Sequence, residues 1–433
     1  MIREFIETCK NRGDQTAFVF GNRRKSFSEL LADVFRTVNL FKERGVVKDK
    51  KILLLVLPSY EFYVLLFACI YYGINVVVMD SYKDLGRIKE TMSAHGIDSV
   101  FCTSLTRFAA FKLGADIRAV NISSYSEYPS TAEPPSLDKE KILLTTFTSG
   151  TTGTPKPIER SIKSLEEQIG IISKNITIDQ DSIVYADLPV YVLFIIYSGI
   201  TCVISRRIRN GRLKNLGVTS VVAPISKLLK IKEPLPFVKE LYLGGATLYM
   251  KECRRLKELF PLAESVYIYG SSECVLMAKS TLDHYMAHGF AMKDKIDGVD
   301  LAIVEKDKSG IGRIKATGES VLTDTRQHIG GDLGYFDNYG LHTVGRYLYS
   351  TEDRYNYVED DRLLSENPGV TKGFFFSHEG KNYFCYQGKL SKQYEDIICI
   401  RFRKLPMDPK HRTKLNYTKA IELINKAKRK NER

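Results

Sequence analysis

Leu143-Leu144-Thr145-Thr146-Phe147-Thr148-Ser149-Gly150-Thr151-Thr152-Gly153-Thr154-Pro155-Lys156 changes character halfway along. Its first five residues have the apolar and β-branched make-up of a strand. The rest is dense in Thr, Ser and Gly and ends in Pro-Lys. Glycines let a backbone turn its N–H groups inward and approach a ligand closely, hydroxyls add donors, and a lysine adds positive charge. Those are the requirements of a polyphosphate cradle. The stretch is not a Walker A loop. Counted from Gly150, that pattern needs Gly where Pro155 stands, and Pro157 follows Lys156 in place of Ser or Thr. A generic polar surface loop has no need of the order Ser-Gly-Thr-Thr-Gly-x-Pro-Lys.

Outward from this loop, strand and helix signals alternate to about residue 275, as in a layered α/β architecture. Residues 52–79 are the most apolar window, but Pro58, Ser59, Glu61, Gly73 and Asn75 interrupt it. No continuous apolar span of ~20 residues remains, so a membrane span is not expected. The window instead predicts strand 52–57, helix 61–71 and strand 75–79, a buried βαβ unit. Nearer the start, residues 16–20 and 24–27 predict a hairpin around Gly21-Asn22. Ser26 and Glu29 are spaced as a capping box, opening a helix with Leu30, Val34, Val38 and Phe41 on one face and ending before Gly45. Residues 128–137, with Pro129, Pro134 and Pro135, read as a linker. Beyond Gly345 the pattern changes to short strands and a last helix with Tyr417, Ile421, Ile424 and Ala427 facing inward. Residues 1–345 are therefore expected to form a large α/β domain and 346–433 a small α+β lid.

The 433 residues carry a formal net charge of +13. Residues 401–433 hold twelve Lys or Arg against three Asp or Glu. That bias suits anionic ligands or acidic partners, but no nucleic-acid module accompanies it. Eight Cys occur without a CxxC pair, mostly in apolar runs, as reduced core thiols do. The opening Met1-Ile2-Arg3-Glu4-Phe5-Ile6-Glu7 lacks the apolar block of a signal peptide, and a cytoplasmic location is expected. The oligomeric state is not legible.

Residues 148–156 resemble the signature loop of the acyl-adenylate-forming superfamily, which includes acyl-CoA synthetases, peptide-synthetase adenylation domains and luciferases. Five further motifs follow in that family's order. Gly244-Gly245-Ala246, after an apolar run at 241–243, resembles its adenine-contacting turn. Tyr269-Gly270-Ser271-Ser272-Glu273 resembles YGxTE, with Ser272 for Thr. The resemblance implies an aromatic stacked on adenine, a hydroxyl near phosphate and a carboxylate, Glu273, on Mg2+. Gly331-Asp332-Leu333-Gly334-Tyr335 resembles TGDLGY, whose Asp binds the ribose hydroxyls, and Gly345-Arg346 resembles the GR that follows. The ending Leu405-Pro406-Met407-Asp408-Pro409-Lys410-His411-Arg412-Thr413-Lys414 resembles the segment bearing the catalytic lysine, here Lys414. The implied cofactors are ATP and Mg2+. In this reading Thr148, Ser149, Gly150, Thr151, Thr152, Gly153 and Lys156 handle the phosphates, and Gly244, Gly245, Ala246, Tyr269, Gly270, Ser271, Ser272, Asp332 and Arg346 hold the rest of the nucleotide.

The sequence also departs from the family. A Ser-His pair after the phosphate loop is replaced by Ser161-Ile162, and Leu188-Pro189-Val190-Tyr191-Val192 lacks the pocket histidine of a Pro-x-x-His motif. Only eleven residues separate Glu319 from Gly331. After Gly345-Arg346, Tyr349 falls at the hinge position, and the glycine turn that lines a pantetheine tunnel is not visible. The Pro-x-Asp-x-x-His-x-x-Lys ending and the missing histidine resemble the β-lactone synthetases. The expected function is ATP-dependent activation of an acyl or aryl carboxylate to acyl-AMP, followed by transfer to an acceptor. That acceptor is CoA, the phosphopantetheine of an acidic carrier protein, or an internal hydroxyl. The competing reading is a nucleotide-binding relative that serves as a non-catalytic partner.

Overall fold

The computed structural model describes residues 1–46, 50–79, 84–114, 116–119, 127–133, 136–148, 156–205, 208–323, 325–347, 353–407 and 415–431. Its backbone divides into two compact units, Met1–Ala223 with Phe237–Glu240, and Pro224–Pro236 with Leu241–Arg433.

In the first unit the predicted βαβ window is strand Lys51–Leu55, helix Tyr60–Tyr72 and strand Asn75–Val78. Ser59 caps the helix by accepting from the Phe62 amide, and Gly73 ends it at φ 86°. That left-handed conformation is easy only for glycine. Every residue from Tyr60 to Tyr71 except Glu61 is buried. A helix without a polar face must be covered on all sides. Phe18 and Phe20 of strand Thr16–Phe20 stack on Tyr63 and Tyr60 at 5.5 and 4.9 Å, and Phe5 stacks on Phe67 at 4.6 Å. Burying side chains of this size contributes roughly 1.5–3 kcal/mol each.

A six-stranded sheet runs in the order Asp116–Ala119, Ser99–Cys102, Lys51–Leu55, Asn75–Val78, Ile142–Thr148, Lys156–Ser161. Its first five strands are parallel and the last is antiparallel. Within it, the buried Thr145 hydroxyl donates to Asn75 Oδ1 at 2.9 Å, a polar pair that ties the loop-bearing strand to its neighbour. A second sheet in this unit orders Ser220–Pro224, Ile183–Ala186, Thr201–Ile204, Thr16–Phe20 and Arg23–Ser26. The hairpin and capping box expected near the start are both present: Ser26 Oγ accepts from the Glu29 amide, and Glu29 Oε2 accepts from the Ser26 amide.

The second unit holds the strands Asp294–Lys295, Ala278–Thr281, Glu264–Tyr269 and Glu240–Gly244, neighbours in that order. It also holds a long sheet running Asp300–Val304, Gly312–Thr317, Gln327–Asp337, Gly340–Tyr347, Arg354–Asn356, Val370–His378, Lys381–Gly388 and Ile398–Arg401. The strands after Gly345 are not uniformly short, since Val370–His378 has nine residues and Lys381–Gly388 eight. Alternation gives this hairpin two apolar faces. Phe374, Phe376, Tyr383 and Cys385 pack with Leu405, Tyr417, Ala420 and Ile424, the last three on helix Tyr417–Asn431. Phe375, Phe384 and Tyr386 face Leu363 of helix Tyr357–Glu366. Of the positions expected inward on the last helix, Tyr417 and Ile424 are buried and Ile421 packs partly buried against them. The side chain of Ala427 lies outside the described residues. Seven of the eight Cys are buried free thiols, and Cys399 is half-buried. No helix among the described residues is long and apolar enough to cross a membrane.

Candidate active site

In the second unit a bulge and a strand register bring three predicted residues together. Strands Gly312–Thr317 and Gln327–Asp337 pair antiparallel, but Arg313 lies opposite Leu333 and Lys315 opposite Ile329. The second strand thus has two residues too many over Gly330, Gly331 and Asp332. A bulge of this kind bends a strand and re-aims a side chain. Arg313 supports it, its guanidinium donating to the Gly330 carbonyl at 3.0 Å and the Ile329 carbonyl at 3.2 Å.

On the other side, Asp332 lies opposite Arg346 of strand Gly340–Tyr347. Directly opposed residues share a face, and Arg346 Nη1 donates to Asp332 Oδ1 at 3.0 Å. The second carboxylate oxygen accepts from the Tyr269 hydroxyl at 3.1 Å. Asp332 holds Arg346 firmly charged, its attraction outweighing the cost of burial. Burial first, and then the Asp332 charge, push the Tyr269 hydroxyl far above its usual range. Tyr269 is therefore a permanent donor to Asp332. Each carboxylate oxygen has a second lone pair, so the cluster fits a ligand that donates two hydroxyls.

Glycines admit the backbone here. Tyr269 ends strand Glu264–Tyr269, and a Cβ on Gly270 would lie 2.2 Å from the Val275 carbonyl oxygen. The turn that follows is closed by Ser271 N–H on the Cys274 carbonyl at 2.8 Å and Cys274 N–H on Ser271 Oγ at 3.1 Å. A Cβ on Gly244 would lie 2.7 Å from the Ile268 carbonyl oxygen, and Gly245 has φ 82°. The Ala246 carbonyl accepts from the Tyr267 hydroxyl at 2.9 Å. The Gly244-Gly245-Ala246 turn and the Tyr269 strand are thus joined through Tyr267.

Glu273 is mostly buried at the side chain, with its Oε2 3.9 Å from His328 Nε2, and its carbonyl accepts from the Leu322 amide at 2.8 Å. His328 was not among the residues expected in the site. Its position four residues before Asp332 on the same strand is the signal that could have found it. Tyr357 is the second addition. Its hydroxyl bonds Thr247, and burial with the Asp332 charge raises its pKa.

Beneath this cluster Tyr249 donates to Asp360 Oδ2 at 2.7 Å, and Asp361 Oδ1 accepts from the Met250 amide at 2.7 Å. Glu252 Oε2 accepts from the Tyr249 amide at 3.2 Å, and burial pushes its carboxyl up to about 7. Asp360 is buried and also accepts from the Phe375 amide, and burial raises its pKa well above the carboxylate range.

In the first unit the expected phosphate loop is held at its stems. Thr148 ends strand Ile142–Thr148, and Lys156 opens strand Lys156–Ser161 directly opposite it. Lys156 is exposed. Ser149, Gly150, Thr151, Thr152 and Gly153 lie outside the described residues, as do Tyr349 and Lys414. The Lys414 segment too has fixed stems: Met407 and Leu415 form an antiparallel bridge, Asn416 N–H donates to the Pro406 carbonyl at 2.7 Å, and Leu415 is buried. Helix Pro189–Tyr197, the stretch without a pocket histidine, has Tyr191 to Ile196 buried and serves as core.

A family model described as AMP-binding enzyme matches residues 5–323. The 2-succinylbenzoate–CoA ligase of Bacillus licheniformis is 22% identical over 402 residues, covering 83% of each chain. Nonribosomal peptide synthetase 30 of Fusarium vanettenii is 24% identical over 70% of this chain, and the D-lysergyl-peptide-synthetase subunit 2 of Claviceps purpurea 28% identical over 31%. The chain spans only 5% and 11% of those two large proteins. ATP-bound MatB from Rhodopseudomonas palustris shares the fold at a TM-score of 0.82, 15% identity and 98% of each chain. The O-succinylbenzoate coenzyme A synthetase MenE from Bacillus subtilis, solved with AMP, does so at 0.80, 15% identity, 95% of this chain and 96% of that one. With a matching family model over most of its length and motifs in the same order, the chain belongs to the AMP-binding enzyme family.

Proposed function

We propose that this protein activates a carboxylic acid with ATP, forming acyl-AMP and pyrophosphate, and then passes the acyl group to a thiol. The observation that carries the reading is the Tyr269–Asp332–Arg346 cluster. It offers two carboxylate oxygens to a vicinal diol such as a ribose, at a bulge whose glycines open the backbone. In the reaction a carboxylate oxygen attacks the α-phosphorus and the bond to the pyrophosphate oxygen breaks. Negative charge builds on the phosphoryl oxygens, so fixed cations stabilise the transition state more than the ground state. Lys414 and Lys156 are assigned that work, with Ser149, Gly150, Thr151, Thr152 and Gly153 supplying donors to the leaving phosphates.

Glu273 offers one carboxylate, which suits Mg2+, an ion that keeps most of its ligands as water and phosphate oxygens. When bound, Mg2+ would screen the phosphates for attack by an anion. The names of the relatives favour a thiol acceptor, either CoA or the phosphopantetheine of a carrier protein. We keep 1–345 as the activating part and 346–433 as the part that serves the second half-reaction. The test is carboxylate-dependent exchange of pyrophosphate into ATP over fatty, hydroxy and aryl acids, followed by product analysis for acyl-CoA, acyl-carrier and lactone. Exchange with at least one acid is expected. A folded protein that binds ATP yet exchanges with none would show a nucleotide-binding partner protein.

A further inference from the structure

The C-terminal stem of the Lys414 segment is anchored by a polar cluster of its own. Leu415 is buried, and its carbonyl accepts from the Tyr355 hydroxyl at 3.2 Å. Asn416 caps the last helix, its side chain accepting from the Lys419 amide at 3.1 Å. Tyr417 opens that helix and is buried, with its ring set edge-on to Phe376 at 5.2 Å and to His378 at 5.5 Å.

The Tyr417 hydroxyl donates to Asp353 Oδ2 at 3.1 Å, and His378 Nδ1 donates to the same oxygen at 2.9 Å. The hydroxyl also lies against His378 Nδ1. The other carboxylate oxygen accepts from the Glu379 amide at 3.3 Å. An ionised carboxylate can only accept, and the Asp353 side chain is 14% exposed, so it needs donors from the protein. Burial works against its charge, but the bonds from His378 and Tyr417 hold the carboxyl below its ordinary range. His378 ends strand Val370–His378 and pairs with Lys381 across a two-residue turn. In that turn Glu379 has φ 48° and Gly380 φ 70°, and the bond to Asp353 supports the positive φ of a residue that is not glycine.

Asp353 thus straps a tight hairpin tip to the first residue of the last helix. Ala420 and Ile424 already give that helix apolar packing. Apolar contacts tolerate small slips, whereas a satisfied polar network selects one arrangement. The network acts on Leu415 and Tyr417, one and three positions after Lys414. We propose that Asp353, His378 and Tyr417 are positioning residues for Lys414, fixing the course of the chain as it leaves that lysine, with Tyr355 adding to the same anchor. This role rests on the assignment of Lys414 as the transition-state cation, where a misplacement of about 1 Å can cost up to 100-fold in rate.

Two variants of the full chain test it. Tyr417→Phe removes one hydroxyl and keeps the ring, and Asp353→Ala removes the shared acceptor. Amide hydrogen exchange over residues 415–420, read by mass spectrometry, is expected to speed about tenfold in both, as loss of a hydrogen bond to a charged group does. The maximal rate of carboxylate-dependent pyrophosphate exchange is expected to fall about tenfold with KM for ATP unchanged. Asp353→Asn, which keeps an acceptor oxygen, is expected to recover most of that rate. In a Lys414→Ala background, Tyr417→Phe is expected to slow the reaction no further. Unchanged amide exchange at 415–420 would overturn the proposal, and so would a wild-type reaction rate in Tyr417→Phe and Asp353→Ala. A further tenfold loss on top of Lys414→Ala would overturn it as well, because the hydroxyl would then act independently of the lysine. Full activity of Lys414→Ala alone would overturn the lysine assignment and this role with it, and that single variant tells the two failures apart.

Discussion

The residues proposed for the ribose and those proposed for the phosphates are built in opposite ways. At the ribose end, Tyr269, Asp332 and Arg346 come from three strands, and the Asp332 carboxylate is held from both sides by partners 63 and 14 residues away in sequence. At the phosphate end, one hairpin supplies the whole element, with Thr148 opposite Lys156 and Lys156 exposed. A diol is recognised by direction, so its acceptor must be fixed before the ligand arrives. A polyphosphate is recognised by charge and by many backbone donors, which a loop between pinned stems can supply. The ribose end should therefore be part of the fold's stability, and the phosphate end should not.

The largest effect is expected at Lys414. Lys414→Ala should lower pyrophosphate exchange about 100- to 1,000-fold, as removal of one transition-state cation or donor does, with ATP affinity and unfolding nearly unchanged. Equal activity would show the wrong lysine was assigned. Asp332→Ala should weaken ATP binding, read by calorimetry, by roughly tenfold or more. It should also cost about 2 kcal/mol in denaturant unfolding, because Arg346 is left charged without its partner. If Asp332→Ala left stability untouched, the contrast between the two ends would fail. Lys156→Ala is expected to slow exchange about tenfold without a stability cost, the lysine being in solvent.

The scaffold beneath the ribose end gives a pH test. The Glu252 carboxyl is pushed up to about 7 by burial. Between the ordinary carboxylate range and pH 7 the folded protein thus binds a proton that the unfolded chain has released. Stability contributed by this group falls as pH rises through that window. Glu252→Gln should remove this group's share of the slope, the buried Asp360 keeping its own, and gain about 1–2 kcal/mol relative to wild type at pH 8 compared with pH 5. The smallest effect is expected at Tyr269→Phe, about 1 kcal/mol in stability for one hydrogen bond to a charged acceptor.

Much of the layered first unit was legible because its signals are local. Ser26 and Glu29 declare a helix start within four residues, and residues 52–79 show strand, helix and strand by apolar runs and their interruptions. Candidate site residues can be proposed by motif, but how they pack cannot be read there. No pattern in Gly330-Gly331-Asp332 announces a bulge, because a bulge exists only relative to the partner strand. His328 and Tyr357 were missed for the same reason: each acts through a residue far off in the chain.

By itself, then, the sequence determined that a strand runs into a loop dense in Gly, Ser and Thr, that the motifs follow in the order of an adenylate-forming chain, and that charge gathers near the end. Those properties reside in neighbouring residues and in composition. Tertiary structure alone decided that Asp332 is shared between Arg346 and Tyr269, that Asp360 is a buried carboxyl and that Glu252 is half-buried with a raised pKa. Register, burial and pKa are properties of what surrounds a side chain, and most of those surroundings come from other strands.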